Sequence, residues 1–258
     1  MNIPKVKFKL ADINFETSMI YYFLFPFRGT SKIIYKRHKK LKNLLKTAKN
    51  KKERLRIIRN YSKNFWKDNI KELEENSKLF KKEWSKINDK YMITLSQVLE
   101  TNWPVERKNI IAFVSINPIY PRFLKNWSFS IFGLQKNIKR LNEIIAHEIL
   151  HFLYFKKWKE VFPNSNERTF DIPYLEWNLS EILAPVILSN PRIQTIIKQK
   201  PIGYPEHKKI KINKKTVIKH FGLIYRKSLK EKEPFGEFLK KSYKEAKKHK
   251  DLIKWKSA

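Results

Sequence analysis

One stretch limits the folds open to this chain more than any other. From Lys136 to about Glu160 apolar residues recur at helical spacing, and between Leu141 and Phe155 the only formal charges are Glu143 and Glu148. A helix that is apolar nearly all round must be covered on most of its surface. Its uninterrupted apolar runs, like Met19–Phe25 earlier in the chain, fall short of the ~18–20 residues that span a bilayer. The helix therefore belongs inside a globular core, and 258 residues are enough to build one. Composition agrees. At 41% hydrophobic and 14% aromatic residues, the chain is too apolar for a disordered polycation, although 57 Lys and Arg against 24 Asp and Glu leave it at +33. The absence of cysteine excludes disulfide scaffolds, Cys-ligated zinc fingers, iron–sulfur sites and thiol nucleophiles. The opening residues MNIPKVKFKL alternate and carry charge, with no apolar leader core, so a cytoplasmic location is expected.

The rest of the chain reads as a mixture of helices and a few strands. Val6, Phe8 and Leu10 alternate as a short strand. Between Ser31 and Leu99, apolar stripes (Ile33, Ile34, Leu41, Leu44 and Leu45; Leu55, Ile58, Tyr61, Phe65 and Trp66; Trp84, Ile87, Tyr91, Leu95, Val98 and Leu99) predict two or three amphipathic helices with Lys-rich outer faces. Ile110–Ile116 reads as a buried strand, and Trp127–Phe132 as a strand at or near a sheet edge, ended by Gly133. A helix over 171–189 follows, with Asp171 as its cap and Pro173 in its first turn. Beyond Pro201 the pattern gives a weak strand near Ile210–Val217 and a basic amphipathic helix from Pro234 to His249. The expected architecture is a single α+β domain: a basic helical portion at 1–83, a core at 84–190 and a basic portion at 191–258. The seven Trp are spread through the chain and read as core anchors, and His38 and His249, in Lys-rich helices, as exposed.

Chemistry is concentrated in the apolar helix, where residues 147–151 read His-Glu-Ile-Leu-His. Imidazoles four residues apart project from one helix face, about one turn from each other, and can reach one metal ion at about 2.0–2.1 Å. Glu148 is turned by roughly 100° from His147, so it cannot simply join them as a ligand. It can reach a water on the metal, where a general base belongs. With six His and nineteen Glu, chance would supply about 0.01 such matches in a chain of this length. Two imidazoles and a carboxylate in apolar surroundings are costly unless they are paired or bound to metal.

On this motif, and on its order after a helix (84–99) and two strands (110–116 and 127–132), the chain resembles the zincin metallopeptidases over roughly residues 84–190. The resemblance implies a zincin-like fold, one Zn²⁺ ion, and hydrolysis of a peptide or protein substrate. Metzincins continue the motif with a Gly and a third His, but here Tyr154 and Lys157 stand at those positions, and the next His is His207. That leaves a carboxylate third ligand, as in the gluzincins, whose following helix carries it in ExxxD or ExxAD. Glu181-Ile182-Leu183-Ala184 matches the ExxA part, and Pro185 stands where the family has Asp. Glu181 also sits in an apolar run where an unpaired carboxylate is expensive. Glu176, Asp171 and Glu167 are the other carboxylates within reach in sequence.

These residues imply a mechanism in which His147, His151 and Glu181 hold zinc and Glu148 moves the proton. The strand at 127–132 would hold an extended substrate by strand addition. A residue stabilising the developing oxyanion should come from the C-terminal part, with Tyr204, His207 and His220 as candidates. The rival reading is a basic nucleic-acid-binding protein in which the His-Glu cluster is structural or vestigial. The basic helices at 36–59 and 239–250 suit nucleic acid or an anionic membrane surface as well as plain solvent.

Overall fold

The computed structural model describes residues 3–253 and is mixed α+β, predominantly helical, with a four-stranded mixed sheet and a two-stranded hairpin. Its contacts divide into two compact units. The sheet unit holds residues 5–86 and 109–141, and the helical unit holds 87–108 and 142–253 together with residues 3 and 4. The stretch 84–190 thus contributes to both. Among the described residues, no helix is long and apolar enough to cross a membrane.

The sheet unit begins with β1 (Lys5–Leu10) and α1 (Ile13–Leu24), continues through α2 (Ser31–Arg37) and α3 (Lys39–Leu44), and then runs along α4 (Lys51–Ser85). Its remaining strands are β2 (Asn109–Ser115), β3 (Arg122–Phe123) and β4 (Ser128–Phe132). The sheet order is β1-β2-β4-β3, with β1 and β4 both parallel to β2 and β3 antiparallel to β4. Local signals account for the helix starts. Asp12 caps α1 by accepting from the Phe15 amide at 2.9 Å. Asn50 caps α4 through the Glu53 amide at 2.9 Å, while the Glu53 carboxylate reaches back to the Lys49 amide at 2.7 Å, so two orphan donors are satisfied together. Ile20, Ile58, Leu73 and Phe80 from the helices and Ile110, Ala112, Val114, Phe129 and Ile131 from the strands are buried. Where β4 ends, Gly133 is required by close approach. A β-carbon there would stand 2.4 Å from Leu73 Cδ2 and 2.8 Å from Val114 Cγ1.

Two expectations are corrected in this unit. The strand at 127–132 is not an edge: β4 pairs with β2 on one side and β3 on the other, and all five of its residues are buried. Its alternating Ser residues suggested a solvated face, but Ser128 and Ser130 are buried, and the Ser130 amide donates to the Pro121 carbonyl at 2.8 Å. His38, expected on the surface, is fully buried between α2 and α3. Its Nε2 donates to the Ile116 carbonyl at 3.0 Å, its Nδ1 accepts from the Tyr61 hydroxyl at 2.9 Å, and burial pushes its pKa down to about 4.

The helical unit comprises α5 (Asn88–Leu99), the long α6 (Ile138–Val161, whose first turn belongs to the sheet unit), α7 (Leu175–Leu188) and α8 (Pro191–Ile197). These are followed by α9 (Pro205–Lys209), the hairpin β5 (Lys211–Ile212) and β6 (Lys215–Thr216), α10 (Val217–Lys230), α11 (Phe235–Lys248) and α12 (Lys250–Ile253). α7 is buried along nearly its whole length, with α10, α11 and α12 packed on it. Asp171 does not cap this helix. It is exposed, and α7 starts at Leu175 behind Tyr174, whose backbone and not its side chain makes the turn. Most Trp residues behave as core anchors, with Trp84, Trp103, Trp158 and Trp177 buried and Trp66 and Trp127 half-buried; Trp255 lies outside the described residues. His249 is half-buried beside Glu245, at 3.3 Å.

One buried charge in the sheet unit gives stability a pH dependence. Glu16 of α1 is fully buried, accepting from Ser115 Oγ at 2.7 Å and from the Ile116 amide at 2.9 Å, and desolvation pushes its pKa up to about 7. A carboxyl that holds its proton more tightly when folded favours the folded state most at low pH. Stability is lost as pH rises from about 4.5 through 7, by roughly 3 kcal/mol at most. Glu16→Gln should flatten this contribution. In chemical denaturation between pH 5 and pH 8, the variant should gain stability relative to the parent at pH 8 and not at pH 5, and a constant difference across that range would refute the assignment.

Candidate metal centre

α6 carries the polar groups of the site on a helix that is otherwise apolar. Asn137 starts it, accepting from the Arg140 amide at 3.0 Å, and beyond Leu141 nearly every side chain through Phe155 is buried. Helical spacing puts Glu143, His147 and His151 on one stripe. α7 supplies the facing carboxylate, Glu181, from the middle of its buried run. Pro185 lies within α7, so the Glu181 carbonyl has no amide donor one turn ahead, where an unbroken helix would place one.

Two imidazole nitrogens and both oxygens of one carboxylate converge between these helices. His147 Nε2 stands 3.1 Å from Glu181 Oε2 and 3.1 Å from His151 Nε2, and His151 Nε2 is 3.5 Å from Glu181 Oε1. His151 and Glu181 are excluded from solvent, and the His147 side chain is 12% exposed. Two Nε2 atoms facing each other at 3.1 Å cannot both carry a proton, and a single proton cannot serve both nitrogens and the carboxylate. A cation at the centre resolves the triangle, and these three residues can hold a metal ion. Glu148, the neighbour of His147, is buried beside them.

The electrostatics point the same way. Burial works against an imidazolium at His147. The hydrogen bond and charge of Glu181, with the charges of Glu148 and Glu143 behind it, outweigh that penalty and raise its pKa above the ordinary value. The pocket is therefore a region of negative potential inside a protein of net charge +33.

Two residues that sequence reasoning passed over help to build the site. Tyr91 of α5 is buried and donates to the Ala146 carbonyl at 2.6 Å, fixing α6 one residue before the first imidazole. Glu143, one turn before His147, accepts from the Ile202 amide at 3.1 Å and so ties the segment leading to α9 onto α6. The i−4 spacing of Glu143 from His147 was a legible signal for it. Tyr91 was read from the sequence only as part of the apolar stripe of its helix.

Among the candidate oxyanion residues, the structure separates one pair from the third. His207 on α9 is buried, and neither of its ring nitrogens has a hydrogen-bond partner among the described residues. Burial lowers its pKa, opposed by the charges of Glu181 and Glu206 and assisted by His147, which places it within electrostatic reach of the donor triangle. Tyr204 packs edge-on to the His207 ring, 5.7 Å between centroids. His220 is instead engaged by Glu245 at 3.0 Å. The alternative carboxylates are also occupied or turned away. Glu176 accepts from the Tyr243 hydroxyl at 2.7 Å, Glu167 pairs with Lys159 at 2.7 Å, and Asp171 is exposed.

Comparisons with protein-family models, curated proteins and solved structures found no match for the chain.

The donor geometry makes a direct prediction. Glu181→Ala should lower affinity for a divalent transition metal by on the order of 100-fold or more, measured by competition with a chromophoric chelator. Glu176→Ala should leave it unchanged. The opposite ranking would move the third ligand away from Glu181.

Proposed function

We propose that the chain is a zinc-dependent hydrolase of peptide bonds, of gluzincin-like type, with His147, His151 and Glu181 as metal ligands and Glu148 as general base. The observation that carries this reading is the buried group of two imidazoles and a carboxylate, whose ligand atoms, one from each residue, lie within 4.8 Å of one another, with nearest approaches of 3.1 and 3.5 Å from the imidazoles to the two carboxylate oxygens. A tetrahedral ion with bonds of about 2.0–2.1 Å needs its ligands about 3.3 Å apart. Two His and one carboxylate are a donor set of catalytic zinc, which keeps its fourth position for water or substrate. When bound, zinc supplies Lewis acidity, polarising a carbonyl and lowering the pKa of a coordinated water toward ~7.

The chain's own residues supply the rest. Glu148 accepts a proton from the attacking water and delivers it to the leaving amine, so one carboxylate serves both halves of the reaction. The apolar flank of α6 keeps competing water away from that proton transfer: Phe155 stacks against the His151 ring at 6.2 Å and against Phe170 at 4.3 Å. His207, neutral because burial depresses its pKa, donates an N–H to the oxygen on which charge develops. Tyr204 sets the plane of that ring, and Glu143 holds the segment that carries both. Since β4 has partners on both sides, substrate is not held by strand addition at 127–132.

Elemental analysis of protein purified without chelator should give close to one zinc per chain, and its absence would sink the reading. Glu148→Gln should keep the metal and lose hydrolysis of an unstructured protein substrate by about 10³-fold. His207→Ala should also keep the metal and lower kcat by about 10²-fold with little change in KM. Full activity in Glu148→Gln would remove the general-base role.

A further inference from the structure

The sheet unit carries a groove that the metal chemistry does not use. It has a volume of about 990 Å³ and follows α4 from Ile57 to Glu72, a length of about 22 Å at helical rise. We propose that this groove is a binding site for single-stranded nucleic acid.

Charge is the first argument. Residues 28–67 contain sixteen Lys and Arg and a single acid, Glu53. Four of these bases, Lys36, Arg37, Lys39 and Lys40, line the groove, and Lys136 lines it too. The four lysines are exposed, and none has an ion-pair partner among the described residues. Unpaired cations gathered around a concavity repel each other, and phosphates relieve that repulsion while releasing counterions. Arg37 is held in place by stacking over the Phe132 ring, 4.8 Å from its centroid.

The second argument is the floor, which offers more than charge. Tyr61 and Phe65, stacked at 5.8 Å, are half-buried and present the aromatic surface on which unpaired bases stack. Tyr61 is fixed by its hydroxyl bond to the buried His38, so the platform is built before any ligand arrives. Asn60 and Asn64 line the same helix face and offer both donors and acceptors to base edges. Asp68 and Glu72 also line it, and carboxylates repel phosphate but accept from the amino groups of bases. A phosphate-only polyanion gains nothing from them. A bilayer would meet the basic rim and leave the recessed aromatic floor unused.

The test uses the full-length chain and a fluorescein-labelled twelve-nucleotide single strand of mixed sequence, read by anisotropy at about 0.1 M salt. Lys36→Ala/Lys39→Ala/Lys40→Ala should weaken binding at least 10-fold and lower the slope of log K against log salt by about 2. The charge-matched Lys42→Ala/Lys46→Ala/Lys49→Ala, outside the groove, should change affinity less than 3-fold, with thermal melts of both variants matching the parent. Phe65→Leu should weaken binding with no change in salt slope. Equal losses from the two triple variants, stronger binding of the corresponding duplex, equal competition by polyphosphate at the same phosphate concentration, or sensitivity of the groove variant confined to vesicles containing anionic lipid would each overturn the proposal.

Discussion

The helical unit is organised around the cost of removing Glu181 and two imidazoles from water. A carboxylate with 1% of its side chain exposed has lost nearly all of its hydration, and the interior must return that free energy through directed partners. Neither a single hydrogen bond nor ordinary apolar packing does so, which is why the arrangement is so constrained. α6 must present two nitrogens at one-turn spacing, α7 must bring a carboxylate from the opposite side, and both helices must be held in register to within a few tenths of an ångström. Tyr91 at the Ala146 carbonyl and Glu143 at the Ile202 amide meet that last requirement from opposite sides of α6 in sequence, one reaching it from an earlier helix and the other tethering a later segment. Each is itself buried and polar, so the ordering is supported by further satisfied polar groups.

How much of this could be read in advance depended on whether a residue's role was written in local spacing. The imidazole pair and its glutamate were legible because helix geometry alone fixes their mutual orientation, and α6 was legible because its apolar period runs uninterrupted for some twenty residues. Glu181 was legible for a different reason: an acid in an apolar run has to be explained. β4 was misread because a polar residue at every second position normally marks a solvated face, whereas Ser128 and Ser130 are buried with the rest of the strand, and its outer neighbour β3 shows no strand pattern in the sequence. His38 was misread because six basic neighbours in sequence said nothing about which way its ring turns once α2 and α3 break at that residue. α10 was missed because its Lys-rich face hides Val217, Phe221 and Tyr225, which only the packing against α7 reveals as core.

Net charge looks like one property of the sequence and divides into two in the structure. The sheet unit concentrates basic residues with few acids among them, whereas the helical unit interleaves acids with bases and pairs many of them, as at Lys156 with Glu160 and Lys241 with Glu233. Paired surface charges contribute little to stability and shed their field within about 8–10 Å at ordinary ionic strength. The unpaired cations of the sheet unit are different, because their mutual repulsion is a standing cost that only an external anion relieves. Compositional drift toward Lys can supply the residues, but it does not place four of them around one groove with a fixed pair of aromatic rings.

The same contrast explains why the metal centre can be acidic in so basic a protein. Surface lysines are screened by water and salt, whereas Glu143, Glu148 and Glu181 act on His147 through a medium of much lower effective dielectric, where each charge counts for several times more. Local potential at the triangle is therefore set by three buried carboxylates and hardly at all by the distant surface. A cation entering from solvent would meet repulsion over the last Debye length of surface and attraction once inside, so affinity and loading rate of an ion at the triangle would respond to different residues. Salt should then speed loading by screening the lysines while leaving a bound ion almost unaffected.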